Sequence, residues 1–400
     1  MQIVQAPDPI WVTTAEDADA LCQYFVDRGQ PYSFDTETSS KRAPEAELIV
    51  WSISDGEDRY CLPRTLAHNF KPLWESDIPT IAWNAKYDLW IMHNAGIEIA
   101  DPVWDGLVLD WLVDENTPHG LKYRSERQLG FEMTSFKSTF GGPTPSDEKA
   151  GRDAGWFIRR MMAGESTKKI QYYEGGDLYE KTVPIGKREG LWTVVHYASL
   201  DAWATQRIVM EYQIPRLKKE KVAPGQTYWD WFQEIEVPIT RILWNMEREG
   251  FTVNTEHLEV LRERIKEEVQ FHKEEAARMM GEPINLNSPK QLSVALFDHY
   301  GVDSGLSRKT ASGFSTDDKT ITRIKENLDA ELDKDVLDFC ANLIAYRKLS
   351  KILGTYIKPL INRTDPKTGR IRTILNQHIT VTGRLSSSEP NLQQGGCKTA

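Results

Sequence analysis

Three short acidic patterns occur in order along the first half of the chain, each in a different local setting. Asp35-Thr36-Glu37 closes the run that begins at Pro31, and Leu48 to Ser54 and Arg59 to Leu62 flank the turn signal Asp55-Gly56. Together these read as three strands with a hairpin. The apolar stretch Thr80 to Trp83 leads through Asn84-Ala85-Lys86-Tyr87 to Asp88, and Leu89 to Asn94 then reads as a helix, with Gly96 as its cap. Farther on, Leu191 to Tyr212 has apolar residues at helical spacing; Tyr197 and Asp201, four apart, share one face. A fold that serves all three patterns must join a strand end, a helix start and a later helix face, which makes it α/β.

Taken singly, acidic residues at such places are usually solvated, and Tyr197 alone would be an ordinary aromatic on an amphipathic helix. Their order and placement point to chemistry. Asp35, Glu37, Asp88 and Asp201 would hold two divalent cations roughly 4 Å apart, a separation at which one ion activates water and the other stabilises a leaving oxygen. Oxygen-only ligands suit Mg²⁺ or Mn²⁺. Tyr197, one turn before Asp201, is placed to orient the attacking water through its hydroxyl.

Phe34-Asp35-Thr36-Glu37-Thr38, Trp83-Asn84-Ala85-Lys86-Tyr87-Asp88 and Tyr197-Ala198-Ser199-Leu200-Asp201-Ala202 resemble the three exonuclease motifs of the DEDD superfamily, the third in its tyrosine form. The resemblance implies a ribonuclease H-like fold with a mixed sheet, removal of nucleotides from 3′ ends, and supporting roles for Asn84 and Asp105. It assigns residues 1–215 to this domain. Between about Phe140 and Gly190 the chain is longer than compact members of that family need. Lys168 to Tyr173 and Leu178 to Val183 around Gly175-Gly176 read as an inserted hairpin within 165–186. It is either a surface decoration or a guide for single-stranded DNA built on its lysines and Tyr172 or Tyr173.

The basic, proline-containing stretch from Ile214 to Gly225 interrupts the periodicity and is the expected domain boundary. Beyond it, Glu234 to Glu249 and Glu256 to Met280 are helical, separated by a turn at Gly250 to Asn254. Met246-Glu247-Arg248-Glu249-Gly250, Asn285 to Leu292, Tyr346 to Lys351 and Thr382-Gly383-Arg384-Leu385-Ser386-Ser387, continuing to Pro390-Asn391-Leu392-Gln393, resemble successive blocks of family A DNA polymerases. That resemblance implies a mainly α-helical thumb over 226–375 and the start of a palm over 376–400. It implies DNA contacts at Asn287, Ser288, Lys290, Arg347, Lys348, Lys351, Arg384 and Gln393, beside Asn84 in the exonuclease part. The implied partners are a single-stranded 3′ DNA end and a primer–template duplex, and the direct exonuclease start suggests a phage-type member.

The net charge of −10 conceals an asymmetry. After residue 340 there are ten basic residues and two acidic ones, so this tail carries +8 and the remainder −18. Phosphate contacts draw on Lys and Arg, and screening confines exposed charge to roughly 10 Å at moderate salt, so an acidic remainder need not repel DNA. Cys22, Cys61, Cys340 and Cys397 are too far apart for a zinc motif or a disulfide framework, and no run is long and apolar enough for a membrane span. A cytoplasmic protein, or one in the host cytoplasm if phage-encoded, is expected. After Asp365 only Glu389 is acidic, so these residues alone are not expected to add nucleotides, and Gln394 to Ala400 stands where the family continues Asn-Ile-Pro. A fragment, a split gene with the remaining polymerase portion on another chain, a frameshift or an interrupting element is each a reading of this; Cys397 reads ordinarily as a small thiol, or else as the first residue of a protein-splicing insert. A free-standing nuclease of RNA would lack the blocks at 285–292 and 382–393. A non-catalytic DNA-binding module would be expected to lose a carboxylate, and all four are present.

Overall fold

The computed structural model describes residues 5–141, 144, 147, 150, 152–174, 177–311 and 313–393. Cys397 and the rest of 394–400 lie outside them, as do Gly175-Gly176 and the side chains of 169–181. By internal contacts the chain divides into two units, one made of 1–248 with 375–386 and the other of 249–374 with 387–400.

The first unit is built on a six-stranded sheet. Its strands are β1 (Ile10–Trp11), β2 (Tyr32–Thr38), β3 (Leu48–Ser54), β4 (Arg59–Pro63), β5 (Thr80–Ala82) and β6 (Val103–Asp105), in the order β1-β4-β3-β2-β5-β6. β3 is antiparallel to both β2 and β4, whereas β5 and β6 add in parallel, so the sheet is mixed. Strand β2 carries Asp35 and Glu37 within it and runs on to Thr38, because its ladder with β3 continues from Ser33↔Ser54 to Thr38↔Leu48. The register shifts between Glu37 and Thr38, the irregularity by which a strand re-aims its side chains.

Helices cover the sheet. α1 (Ala15–Arg28) packs through Phe25 against Tyr32 of β2, ring centres 5.7 Å apart, and in the same core Tyr32 and Phe34 meet Trp74 and Trp51 meets Phe70 edge-on at 4.7 Å. α2 (Ala85–Asn94) follows β5, and α3 (Gly106–Val113) follows β6. α4 (Leu121–Arg124), which continues as a π-helix to Leu129, and α5 (Ala154–Ala163) precede an antiparallel pair, β7 (Thr167–Glu174) and β8 (Asp177–Pro184). α6 (Lys187–Ile208) then crosses β2 and β3.

Small residues let α6 sit close to the strands. Ser33 Oγ donates to Ala202 O at 2.6 Å and Ser52 Oγ to Ala198 O at 2.8 Å, so two strand hydroxyls seat the helix backbone itself. Arg59, almost wholly buried, adds bonds to His196 O and Ser199 Oγ.

The 214–225 stretch does not loosen this unit. Ile214 and Leu217 are buried with Ile81, Trp104 and Phe232. The unit continues into α7 (Val237–Glu249), whose Trp244 joins the main core and whose Arg241 pairs with Asp101 at 3.0 Å. The segment 375–386 completes it. Glu247 accepts from Leu375 N at 2.7 Å and from the buried Lys86 ammonium at 2.5 Å, and Lys86 also donates to Leu375 O. Gln377 bonds to Glu236 and Thr240.

The second unit is mainly helical. β9 (Phe251–Thr252), α8 (Thr255–Met280), α9 (Pro289–Ser293), α10 (Asp318–Asn327), α11 (Lys334–Lys351) and β10 (Arg370–Ile371) follow one another, with β9 and β10 antiparallel. α8 and α11 pack along a stripe that includes Ile265, Val269, Phe339 and Leu343. Asn254 caps α8 by accepting from His257 N at 2.9 Å, the usual N-cap arrangement.

Candidate active site

Alternation along β2 puts Ser33, Asp35 and Glu37 on one face, and Ser33 lies under α6. On α6 the seated residues are Ala198 and Ala202, so Tyr197 and Asp201 fall one position earlier around the helix. Asp88 arrives from α2. Its Oδ1 accepts from both Thr36 N (3.1 Å) and Thr36 Oγ1 (2.6 Å), so the strand between Asp35 and Glu37 fixes the third carboxylate directly.

The entry to α2 is a tight device. Asn84 adopts a left-handed backbone, φ 67°, a conformation that Asn tolerates better than most residues. Asp105, at the end of β6, accepts from Asn84 N, Ala85 N and Leu107 N at 2.9–3.0 Å. Asp105 is therefore a backbone clamp that sets where α2 begins. The Asn84 side chain is exposed.

Glu37 and Asp88 are buried, at 9% and 3% exposure, and Asp35 and Asp201 are half-buried. Burial first, then repulsion from Asp201, Asp88 and Glu37, pushes Asp35 well above the usual carboxylate range. Glu37 is raised by burial and by Asp201. Asp88 is pushed up to about 7 by burial against the pull of its Thr36 bonds, and Asp201 to about 6 by burial against the pull of Lys122. These four groups repel one another in a site that solvates them poorly, the electrostatics that a cation relieves. Asp201 Oδ1 is buried and accepts no hydrogen bond among the described residues, which leaves a lone pair of the right chemistry for a hard cation. No three of the described His, Cys, Asp or Glu side chains already converge at coordinating geometry. The donor set fits the cations, therefore, while the arrangement is not a closed coordination sphere.

Tyr197 packs edge-on against Phe140, with ring centres 5.0 Å apart, and against Phe136. Burial, then Asp201, Glu37 and Asp35, raise its hydroxyl far above the usual tyrosine range. It is a neutral phenol. A residue that the sequence reading missed sits on it: Lys122 of α4 places its ammonium 4.7 Å from the ring centre and donates to Tyr197 Oη at 3.1 Å. A lone lysine in Leu121-Lys122-Tyr123-Arg124 carries no spacing signal, and only the fold brings it to the carboxylates.

Two family models match the chain in order. Residues 9–140 match the 3′-5′ exonuclease model, which spans Asp35, Glu37 and Asp88, and residues 255–399 match DNA polymerase family A. Over these two stretches the chain is similar to the family A DNA polymerases and their 3′-5′ exonuclease domain. Relatives in this family include DNA polymerase I of Synechocystis sp., 28% identical over 98% of this chain and 36% of the relative. Another is the thermostable DNA polymerase I of Thermus thermophilus, 35% identical over 48% of this chain and 22% of the relative. The chain thus spans about a third of the length of the curated relatives that align with nearly all of it. A solved structure, the POL domain of Pol1 from M. smegmatis in complex with DNA primer-template and dNTP, shares its fold with a TM-score of 0.66. The identity is 20%, over 95% of this chain and 55% of the other.

In the second unit, residues singled out as DNA contacts also have local partners. Asn287 Nδ2 donates to Tyr346 Oη at 2.8 Å, and Ser288 caps α9 through Gln291 N. Arg347 pairs with Asp318 at 3.0 Å, whereas Lys290, Lys348 and Lys351 are exposed. Arg363, Arg370 and Arg372 pair with Glu389, Glu249 and Asp365, so much of the basic tail is locally neutralised. In the first unit Arg384 is exposed, as is Gln393 in the second. None of the described helices is long and apolar enough to cross a membrane.

Proposed function

We propose that this chain removes nucleotides from the 3′ ends of DNA by metal-dependent hydrolysis, as the proofreading exonuclease of a family A DNA polymerase. The observation that carries the reading is the gathering of Asp35, Glu37, Asp88 and Asp201 around β2, with Asp201 Oδ1 buried and unbonded. These four residues would hold two divalent ions, Mg²⁺ or Mn²⁺. When bound, such ions supply a water of lowered pKa and charge stabilisation at the leaving oxygen.

The chain's own residues do the rest. Thr36 keeps Asp88 in place through two hydrogen bonds. Asp105 fixes the start of α2, and Ser33 and Ser52 fix the height of α6 above the strands. Tyr197, neutral at working pH, donates its proton and orients water rather than acting as a base. On this reading residues 1–215 form the exonuclease domain with the 165–186 hairpin as an insertion, 226–375 the thumb and 376–400 the beginning of a palm. Asn84, Asn287, Ser288, Lys290, Arg347, Lys348, Lys351, Arg384 and Gln393 contact DNA, single-stranded at the 3′ end and duplex at the thumb. The protein works in the cytoplasm, together with the remaining polymerase portion. The family A match over 255–399 favours DNA over RNA as substrate.

The test is hydrolysis of a 5′-labelled oligonucleotide with Mg²⁺, alongside calorimetric titration with Mn²⁺ alone. Asp35→Ala and Asp201→Ala should each nearly abolish hydrolysis and weaken Mn²⁺ binding, and Tyr197→Phe should cost less. Near-parental activity in both alanine variants would refute the site.

A further inference from the structure

Lys122 is held from behind by a network that has no other evident use. Asp110, on α3, is fully buried, and one of its oxygens, Oδ2, lies 2.7 Å from both Arg124 Nε and His119 Nδ1. Its other oxygen accepts from Gln213 Nε2 at 3.2 Å. The segment is pinned again where His119 O accepts from Trp83 Nε1 at 3.0 Å. α4 runs on into a π-helical stretch, Ser125–Leu129; a helix this short has little stability of its own, so these anchors on either side of Lys122 help to set its position.

The ammonium is thereby delivered to two oxygens, Thr134 O and Tyr197 Oη. Lysine has only donors, and a phenol carries a single rotatable proton. A hydroxyl that accepts from Lys122 must turn its own proton elsewhere. Phe136 and Phe140 pack edge-on against the Tyr197 ring and help to hold it in place. We propose that Lys122 is a positioning residue that fixes the Tyr197 hydroxyl with its proton directed to the attacking water, and that Asp110 holds Lys122 in register. This rests on the exonuclease reading above.

A double-mutant cycle with Lys122→Met and Tyr197→Phe tests it, because groups that act through one another are non-additive. Lys122→Met should lower kcat about 10-fold, as loss of a supporting partner commonly does, with KM for single-stranded DNA changed less than about 2-fold. In the Tyr197→Phe background the same change should cost less than about 2-fold, since the hydroxyl it serves is gone. Lys122→Arg, which keeps the donor, should recover part of the loss. Without DNA, Lys122→Met should bind Mn²⁺ at least as tightly as the parent, because a cation beside the carboxylates has been removed.

A full 10-fold loss in the Tyr197→Phe background, or a loss that falls on KM, would mean that Lys122 acts on the DNA itself, and the inference fails. Weaker Mn²⁺ binding by Lys122→Met would mean a distorted site and would also overturn it. If the parent does not hydrolyse DNA, or does so without Asp35 and Asp201, the exonuclease reading has failed and this inference falls with it.

Discussion

Replacing Gly190 by Ala sets two known effects against each other. In a helix, Ala is favoured over Gly by up to about 1 kcal/mol, so propensity alone makes the variant more stable. Gly190, however, is buried in the first turn of α6 where that helix crosses α5, and a Cβ there would lie 1.9 Å from Met161 O and 2.9 Å from Met161 C. The obstacle is backbone, which cannot rotate aside. Relieving the overlap moves the two helices apart by about an ångström, and overpacking of this kind costs about 1–3 kcal/mol. The net expectation is a loss of about 1–2 kcal/mol. For a unit of this size that lowers the melting temperature by roughly 2–4 °C per kcal/mol. Gly354 is the control. It too is helical, but nothing lies within 4 Å of its Cβ position, so Gly354→Ala should be neutral or stabilising. Thermal unfolding followed by circular dichroism compares the pair directly. Hydrolysis should fall in Gly190→Ala as well, because α6 carries Tyr197 and Asp201. A Gly190 variant that melts at or above the parent would refute the argument that close approach of α5 sets the seat of α6.

Lys86→Ala should destabilise the first unit by about 3–5 kcal/mol, the cost of leaving a buried partner charge alone, here Glu247; a change under about 1 kcal/mol in urea unfolding would show that the pair is not buried in solution. The triple change of Arg347, Lys348 and Lys351 to Ala should flatten the dependence of log duplex affinity on log salt by nearer two contacts than three, at about 0.9 per contact, because Arg347 is already engaged by Asp318; an unchanged slope would make all three solvated. Asp317 caps α10 through Thr320 N, and that bond first, then Ser315, holds its carboxyl down at about 2. Its folded pKa is depressed, so its stabilisation is complete above about pH 4 and is lost as pH falls towards about 2. Asp317→Asn should keep the cap and lose that pH dependence in acid unfolding.

The carboxylates were legible because each sits where local pattern is strong: strand alternation for Asp35 and Glu37, a helix start for Asp88, i to i+4 spacing for Tyr197 and Asp201. The strand's last residue, Thr38, depends on pairing with Leu48, a partner that alternation within β2 cannot reveal. Proline at 215 read as a break, yet it lies where the chain has already turned into a short helix whose Ile214 and Leu217 are buried against Phe232. Lys122, Asp110 and the Thr36 bonds to Asp88 were invisible for a common reason. They are contacts between segments far apart in sequence, made by residue types that are unexceptional where they stand. The basic tail shows the converse, since its count of charges was plain but its ion pairs with Asp318, Glu389, Glu249 and Asp365 were not.

The segment 375–386 gives this chain an order of assembly. Glu247 and Glu236 sit in α7 and just before it, yet the partners that satisfy them, Leu375 N and Gln377, are more than a hundred residues later. A ribosome must therefore deliver the whole 249–374 stretch before the first unit can close its last polar groups. Until then a nascent chain of about 250 residues carries the buried-side Lys86 and Glu247 without their backbone partners at 375, and that edge stays open to proteases and to premature pairing. The second unit, by contrast, forms its α8–α11 core from residues made consecutively, so the later-synthesised half is positioned to mature before the earlier one is finished.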